Sequence, residues 1–176
     1  MKIKWVATVI LFLSILTSCS VSEKQQYFIE KIDSIETVFD SVSNQYMLLD
    51  TVKLFNSYDL INTNLLRLSN IDTVLSDTVK IYAFMQKSFK RFVAEHQTIS
   101  EEITYSKNQL LSLKNDIRKG NMTDESMEKY YSEEKEAIDN LMHKIRFNVQ
   151  SIEYQLQSFD HLNEKVEEII DKYEKQ

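Results

Sequence analysis

The side chains in this sequence of 176 residues with chemistry to offer are one cysteine, Cys19, three histidines, His96, His143 and His161, and several runs of carboxylates. Asp139 and His143 lie one helical turn apart and could share a metal ion, but two ligands leave the site incomplete. A di-metal helical bundle needs Glu-x-x-His on each of two helices, and that spacing does not occur. His96 falls on an apolar stripe, where a partly buried core histidine is the expected role. His161 follows Asp160 and is expected in solvent. Glu101-Glu102 and Glu133-Glu134-Lys135-Glu136 could pair as catalytic carboxylates, yet on a polar helical face such runs are solvated charge and i,i+4 partners. A catalytic carboxylate needs a dry pocket to shift its pKa, and a slender bundle offers little room for one. No serine stands in a glycine-framed elbow, because Gly120 is the only glycine. The expectation is therefore no catalytic, cofactor or metal site, and no enzyme.

Cys19 is a different case. Lys2 and Lys4 give a positive start, Trp5 to Leu16 form an apolar core, and Leu16-Thr17-Ser18-Cys19 closes the segment. The core falls short of the ~20 apolar residues of a spanning helix, so residues 1–18 read as a signal peptide. The closing four residues resemble the lipobox of bacterial lipoproteins: an aliphatic residue, two small residues and an obligatory cysteine. The resemblance implies that the Cys19 thiol receives a diacylglyceryl group, that the chain is cut before it, and that the new amine is acylated. The alternative, an ordinary secretory signal cut near Ser18, leaves a lone exported thiol with no disulfide partner. Two acyl chains already anchor a protein stably at ~0.8 kcal/mol per buried CH₂. In that family, Ser20 after the cysteine implies the outer membrane. The short Ser20–Ser22 spacer carries no acidic run, which favours the periplasmic face.

The elements that follow are helices. There is no proline and one glycine, where average usage gives about twenty of the two together. Phe28, Ile32, Ile35, Phe39, Val42, Tyr46 and Leu49 alternate steps of four and three, a heptad seam that no strand can present. A second seam runs through Tyr82, Met85, Phe89, Phe92, His96, Ile99, Ile103, Leu110, Leu113 and Ile117. A third runs through Tyr131, Ile138, Met142, Ile145, Val149, Ile152, Leu156, Phe159, Val166, Ile169 and Tyr173. Val38, Leu48, Val93, Leu111, Leu141 and Ile170 flank these seams and predict a wide apolar face with two helical neighbours.

Breaks are few. Lys119-Gly120-Asn121-Met122-Thr123 suits a glycine past a helix end followed by a threonine cap, with Arg118 and Lys119 at the negative pole and Asp124 and Glu125 at the next positive one. Asn70, Asp72, Ser76 and Asp77 place a second break within Ser69–Asp77. Between Leu49 and Leu54 the stripe changes phase, which predicts a kink or register change near Asp50. Residues 20–77 carry 4 basic and 9 acidic side chains, residues 78–122 carry 8 and 4, and residues 123–176 carry 7 and 14. A basic helix between two acidic ones favours its own pairing over like-charged contacts.

The reading is all-α: an elongated antiparallel three-helix bundle, or coiled coil of long helices, preceded by a signal peptide. Residues 1–18 are the leader, 19–24 a lipidated tether and 25–174 the bundle. Helices of about 45, 40 and 50 residues make a rod of ~60–75 Å at 1.5 Å per residue, with Gly120 near the lipid and the Ser69–Asp77 turn and C-terminus at the far end. The alternative is a hairpin from residue 78 onward, with residues 22–70 splayed or paired with a second copy.

Lys80, Lys87, Lys90 and Arg91 form a basic patch among Phe84, Phe89 and Phe92. It reads first as a flank for acidic neighbouring helices and second as a contact for an anionic partner: phospholipid, lipopolysaccharide or an acidic protein. Nucleic acid is excluded by export and by an isoelectric point of about 5.2. The Asp–Ser/Thr–Val/Ile triplets at Asp33, Asp40, Asp50, Asp72 and Asp77 are seam residues preceded by polar ones and not a structural repeat. Beyond the lipobox, Ile103–Gly120 (ITYSKNQLLSLKNDIRKG) and Glu134-Lys135-Glu136-Ala137-Ile138 resemble the small helical lipoproteins of Bacteroidota, a resemblance that implies no activity. The functional expectation is a membrane-anchored envelope lipoprotein whose non-catalytic rod contacts another envelope protein as spacer, adaptor or accessory subunit. The alternative is a bundle that holds a lipid or other apolar ligand between helices, lined by some of its 9 Phe and 9 Tyr residues.

Overall fold

Each helix among the described residues starts on a side chain that accepts from a free N–H group of its first turn. In the computed structural model, which describes residues 21–71 and 76–175, these are α1 (Glu23–Met47), α2 (Thr51–Ser69), α3 (Asp77–Arg118) and α4 (Asp124–Glu174). Cys19 and the leader lie outside the described residues. Ser22 and Gln25 form a reciprocal capping box at α1, satisfying two donors that would otherwise be orphaned. Asp50 caps α2 through the Lys53 N–H at 2.8 Å, Ser76 caps α3, and Thr123 caps α4. Helix α1 begins at Glu23, two residues before the expected start of the bundle at residue 25.

The expected first helix is two helices, α1 and α2. The physical reason lies in the buried positions. Tyr46 and Leu49 are three apart, but the next buried apolar residue is Leu54, five further on, after which Ser57, Ile61, Asn64 and Leu68 resume the alternation of three and four. One surplus residue in an unbroken helix turns the stripe by ~100° and carries it off the core. Breaking the helix at Leu48–Asp50 and capping it afresh restores the phase. The Gly120 turn fits the sequence reading: Gly120 has φ +70, its N–H reaches Ile117 O at 3.0 Å, and Asn121 N–H reaches Asp116 O at 3.3 Å. That pair of bonds is a Schellman closure, which needs the left-handed backbone that glycine supplies without strain.

Contacts fix the order of the helices. Both α1 and α2 pack on α3 and on α4, and α3 packs on α4, so residues 22–70 are neither splayed nor left for a second copy. Gln25 Nε2 donates to Ile117 O at 2.8 Å, while Gln86 near the start of α3 donates to Asn62 in α2, making the first layer antiparallel to α3. Lys144 of α4 meets Glu102 of α3 and Tyr82 meets Asn163, so this pair is antiparallel as well. Lys53–Asp160 and Arg67–Glu174, both 107 residues apart, run α2 parallel to α4. The 51-residue α4 spans ~75 Å, in keeping with the expected rod. No helix among the described residues is long and apolar enough to cross a membrane.

The predicted seams supply the core. Phe39, Tyr46, Tyr82, Phe89, Phe92, Ile99 and Ile117 are fully enclosed. The flanking residues divide: Leu141 and Ile170 are buried and Val93 is half-buried, whereas Val38, Leu48 and Leu111 are exposed. Their neighbours Phe39, Leu49 and Leu110 already fill the interior, which leaves the adjoining side chains to solvent. Tyr173, placed on the third seam, is also exposed, because the seam ends through Asn163, Val166 and Ile170.

Candidate functional site

The residues singled out for chemistry are dispersed along the rod. His143 and His161 are exposed. Asp139 accepts from Lys135 at 2.5 Å, an i,i+4 pair on α4, and no group of three or more His, Cys, Asp or Glu is disposed to hold a metal ion among the described residues. Glu101 accepts from Gln97, Glu102 from Lys144, and Glu133 sits 3.9 Å from Lys129. Burial, and then the charge of Glu133, raises the Glu134 carboxyl above the ordinary range.

His96 takes the expected seam position. Its Nδ1 lies 3.1 Å from the Tyr46 hydroxyl, and its ring stacks on Phe92 at 5.2 Å and meets the edge of Phe55 at 6.1 Å. Burial lowers the His96 pKa and raises that of Tyr46, so a neutral imidazole on a neutral phenol joins α1 to α3 just above the α1–α2 break.

The largest polar feature of the interior is one that the apolar stripes did not reveal. Asn64 of α2, Tyr82 of α3 and Asn163 of α4 meet at one level, with Asn64 1 % and Tyr82 0 % exposed. The Tyr82 hydroxyl donates to Asn163 Oδ1 at 2.5 Å. Asn64 Nδ2 donates to the same oxygen at 3.1 Å and to the Tyr82 hydroxyl at 3.4 Å. Asn163 Nδ2 donates outward to Glu167 at 2.9 Å. Burial pushes the Tyr82 pKa up to about 12, holding the phenol as a donor. Every helix of the cross-section thus contributes one member, and sliding any of them by a heptad strands buried donors. A single buried asparagine is the device that sets register in coiled coils; here it is shared three ways. The signal was present in the spacing: Ile61–Asn64–Leu68 and Phe159–Asn163–Val166 keep the steps of three and four through a polar residue.

The basic patch divides along the helix phase. Phe89 and Phe92 are core, while Phe84 is 72 % exposed. Lower on α3, cations pair with α1 as the charge pattern suggested: Lys107 with Asp40, and Lys114 with both Asp33 and Glu36. Higher up they do not. Lys80 meets only Asp77 on its own helix, Arg91 lies over the Phe147 ring at 5.1 Å, and Lys87 and Lys90 make no ion pair among the described residues. The two acidic layers are joined by cations of the first layer, Lys24–Asp124, Lys53–Asp160 and Arg67–Glu174. These exposed bridges are worth ~0–1 kcal/mol each, so they bias the pairing and do not supply the stability.

The fold and these surfaces define an all-α bundle of long helices. No protein-family model matches the chain, and neither a curated protein nor a solved structure matches it.

Proposed function

We propose that the protein is a lipid-anchored envelope protein, acylated at Cys19, whose non-catalytic helical rod contacts another envelope protein as spacer, adaptor or accessory subunit. The observation that carries this reading is the lipobox-like Leu16-Thr17-Ser18-Cys19 followed, four residues after the cysteine, by the capped start of α1 at Glu23. A helix that begins so close to the anchor transmits the rod directly from the membrane surface. The anchor is in the outer membrane and the rod faces the periplasm. Gln25 and Lys24 hold the Gly120 turn beside that start; on this reading the turn is at the lipid end and the Arg67–Glu174 pair at the far end.

The non-catalytic part of the reading is supported by where the polar groups are spent. Glu102 and Glu133 pair with lysines and Glu101 accepts from Gln97, and the buried Asn64, Tyr82 and Asn163 bond one another. The core aromatics likewise pack together, with Phe92, Tyr46 and His96 centroids 5.2–5.7 Å apart, which favours packing over a ligand-lined interior. Cell fractionation tests the anchor: the native chain is expected with membranes, and a variant whose residues 1–19 are replaced by an ordinary cleaved secretory leader in the soluble periplasmic fraction. Both variants in the same soluble fraction would overturn it. Photocrosslinking from exposed far-end positions in intact cells tests the partner, with a discrete protein adduct expected and none expected from Glu30 near the anchor.

A further inference from the structure

We infer that the groove between α2 and α3 at the far end of the rod binds a single-chain fatty acid, its acyl chain on the groove floor and its carboxylate between Lys80 and Lys87. The groove has a volume of about 370 Å³ and is floored by Leu65 and Leu68 from α2 and by Val79, Ala83 and Phe84 from α3. Phe84 is the residue that requires explanation. Its ring is 72 % exposed on a helix whose other phenylalanines, Phe89 and Phe92, are wholly enclosed, and an aromatic ring left in water forgoes a large hydrophobic gain. A chain laid along the groove would cover its face together with Leu65 and Ala83.

Charge decides which amphiphile. Lys80 and Lys87 rim the groove on either side of Phe84, seven residues and thus ~10 Å apart along the helix. Lys87 has no ion-pair partner among the described residues, and Lys80 has only the exposed Asp77 at 2.9 Å, an i,i+3 pair of the weak surface kind. This contrasts with Lys107 and Lys114 of the same helix, which α1 carboxylates engage. An apolar trough edged by two cations, Lys87 without an ion-pair partner among the described residues and Lys80 held only by the exposed Asp77, complements an apolar chain with one anionic head. Its volume stands near the lower end of the ~300–1,000 Å³ of ligand pockets, which suits one acyl chain and not the two of a diacyl lipid. The inference rests on the bundle alone and is independent of the anchor at Cys19.

The test uses the full-length protein in phosphatidylcholine nanodiscs, irradiated with a medium-chain fatty acid bearing a diazirine, with labelled peptides located by mass spectrometry. Labelling is expected in the peptides that carry Leu65–Leu68 and Val79–Lys87, competed by laurate and not by dodecanol or dodecyltrimethylammonium. Lys80→Glu/Lys87→Glu is expected to lower labelling about tenfold, since each replaces an attraction by a repulsion. Both side chains are exposed, so helix content is expected to stay that of the parent, and Lys129→Glu at the other end is expected to leave labelling unchanged. Equal competition by dodecanol, labelling spread along the rod, or full labelling of the double variant would each overturn the inference.

Discussion

Replacing Asn163 by alanine isolates the contribution of the buried polar layer. The Asn163 Oδ1 atom accepts from the Tyr82 hydroxyl at 2.5 Å and from Asn64 Nδ2 at 3.1 Å, and both donors lie out of reach of water. A buried donor stripped of its acceptor costs ~1–3 kcal/mol. Asn64 can still donate to the Tyr82 oxygen, with which it is already in contact at 3.4 Å, so one stranded hydroxyl and one weakened amide bond remain. The expected loss is about 2–4 kcal/mol, a large fraction of the stability of a domain this size. Tyr82→Phe removes the stranded donor itself and leaves Asn64 bonded to Asn163, so its loss is expected to be smaller, about 1 kcal/mol. Removing all three groups together, as Asn64→Leu/Tyr82→Phe/Asn163→Leu, leaves nothing unpaired and is expected to match or exceed the parent in stability. Its cost falls on uniqueness: the three seams then match in more than one register. Urea denaturation followed by helical circular dichroism measures the first three quantities, and light scattering after chromatography reports on extra oligomers. An Asn163→Ala protein within ~0.5 kcal/mol of the parent would refute the reasoning, because a buried acceptor serving two donors cannot be that dispensable.

The neighbouring features carry their own tests. Burial lowers the His96 pKa from its ordinary 6.5, with Tyr46, Phe92 and Phe55 around the ring and Glu95 beside it on α3. The neutral form therefore belongs to the fold, and stability is full above the unfolded value and falls as pH drops through the folded one. Comparing urea midpoints at about pH 7.5 and about pH 5, the parent is expected to lose more than His96→Gln, and equal losses would contradict this. Gly120→Ala places a β-carbon 3.5 Å from Gln25 Nε2, an ordinary contact, so its expected cost of ~1–2 kcal/mol comes from the left-handed backbone alone; Gly120→Asn is expected to lose less in the same melt. Asp50→Ala removes the α2 cap and is expected to cost ~1 kcal/mol. Deleting Asp50 instead restores the step of four between Leu49 and Leu54, and is expected to fuse α1 and α2 into one helix with no loss of stability, read as increased helicity.

Apolar periodicity made the long helices legible, because steps of three and four through Phe28–Leu49, Tyr82–Ile117 and Ile138–Phe159 admit no other backbone. Gly120 and Thr123 marked their turn for the same local reason. The α1–α2 break was visible only as a slip in phase, since neither glycine nor proline enforces it; Asp50, a cap that looks like any surface acid, does the work. The polar layer escaped because a search for apolar stripes steps over Asn64 and Asn163, although both keep the spacing. That Phe89 and not Phe84 faces inward was also legible, because Tyr82, Met85, Phe89 and Phe92 keep the seam spacing and Phe84 falls outside it.

The proposal as a whole rests on acylation at Cys19, and mass spectrometry of the mature chain purified from its native membrane tests it most directly. The account predicts an N-terminal peptide that begins at Cys19 and carries the mass of a diacylglyceryl group and an amide-linked acyl chain. A chain that retains Met1 to Ser18, or one that begins elsewhere with a free thiol at Cys19, would contradict it.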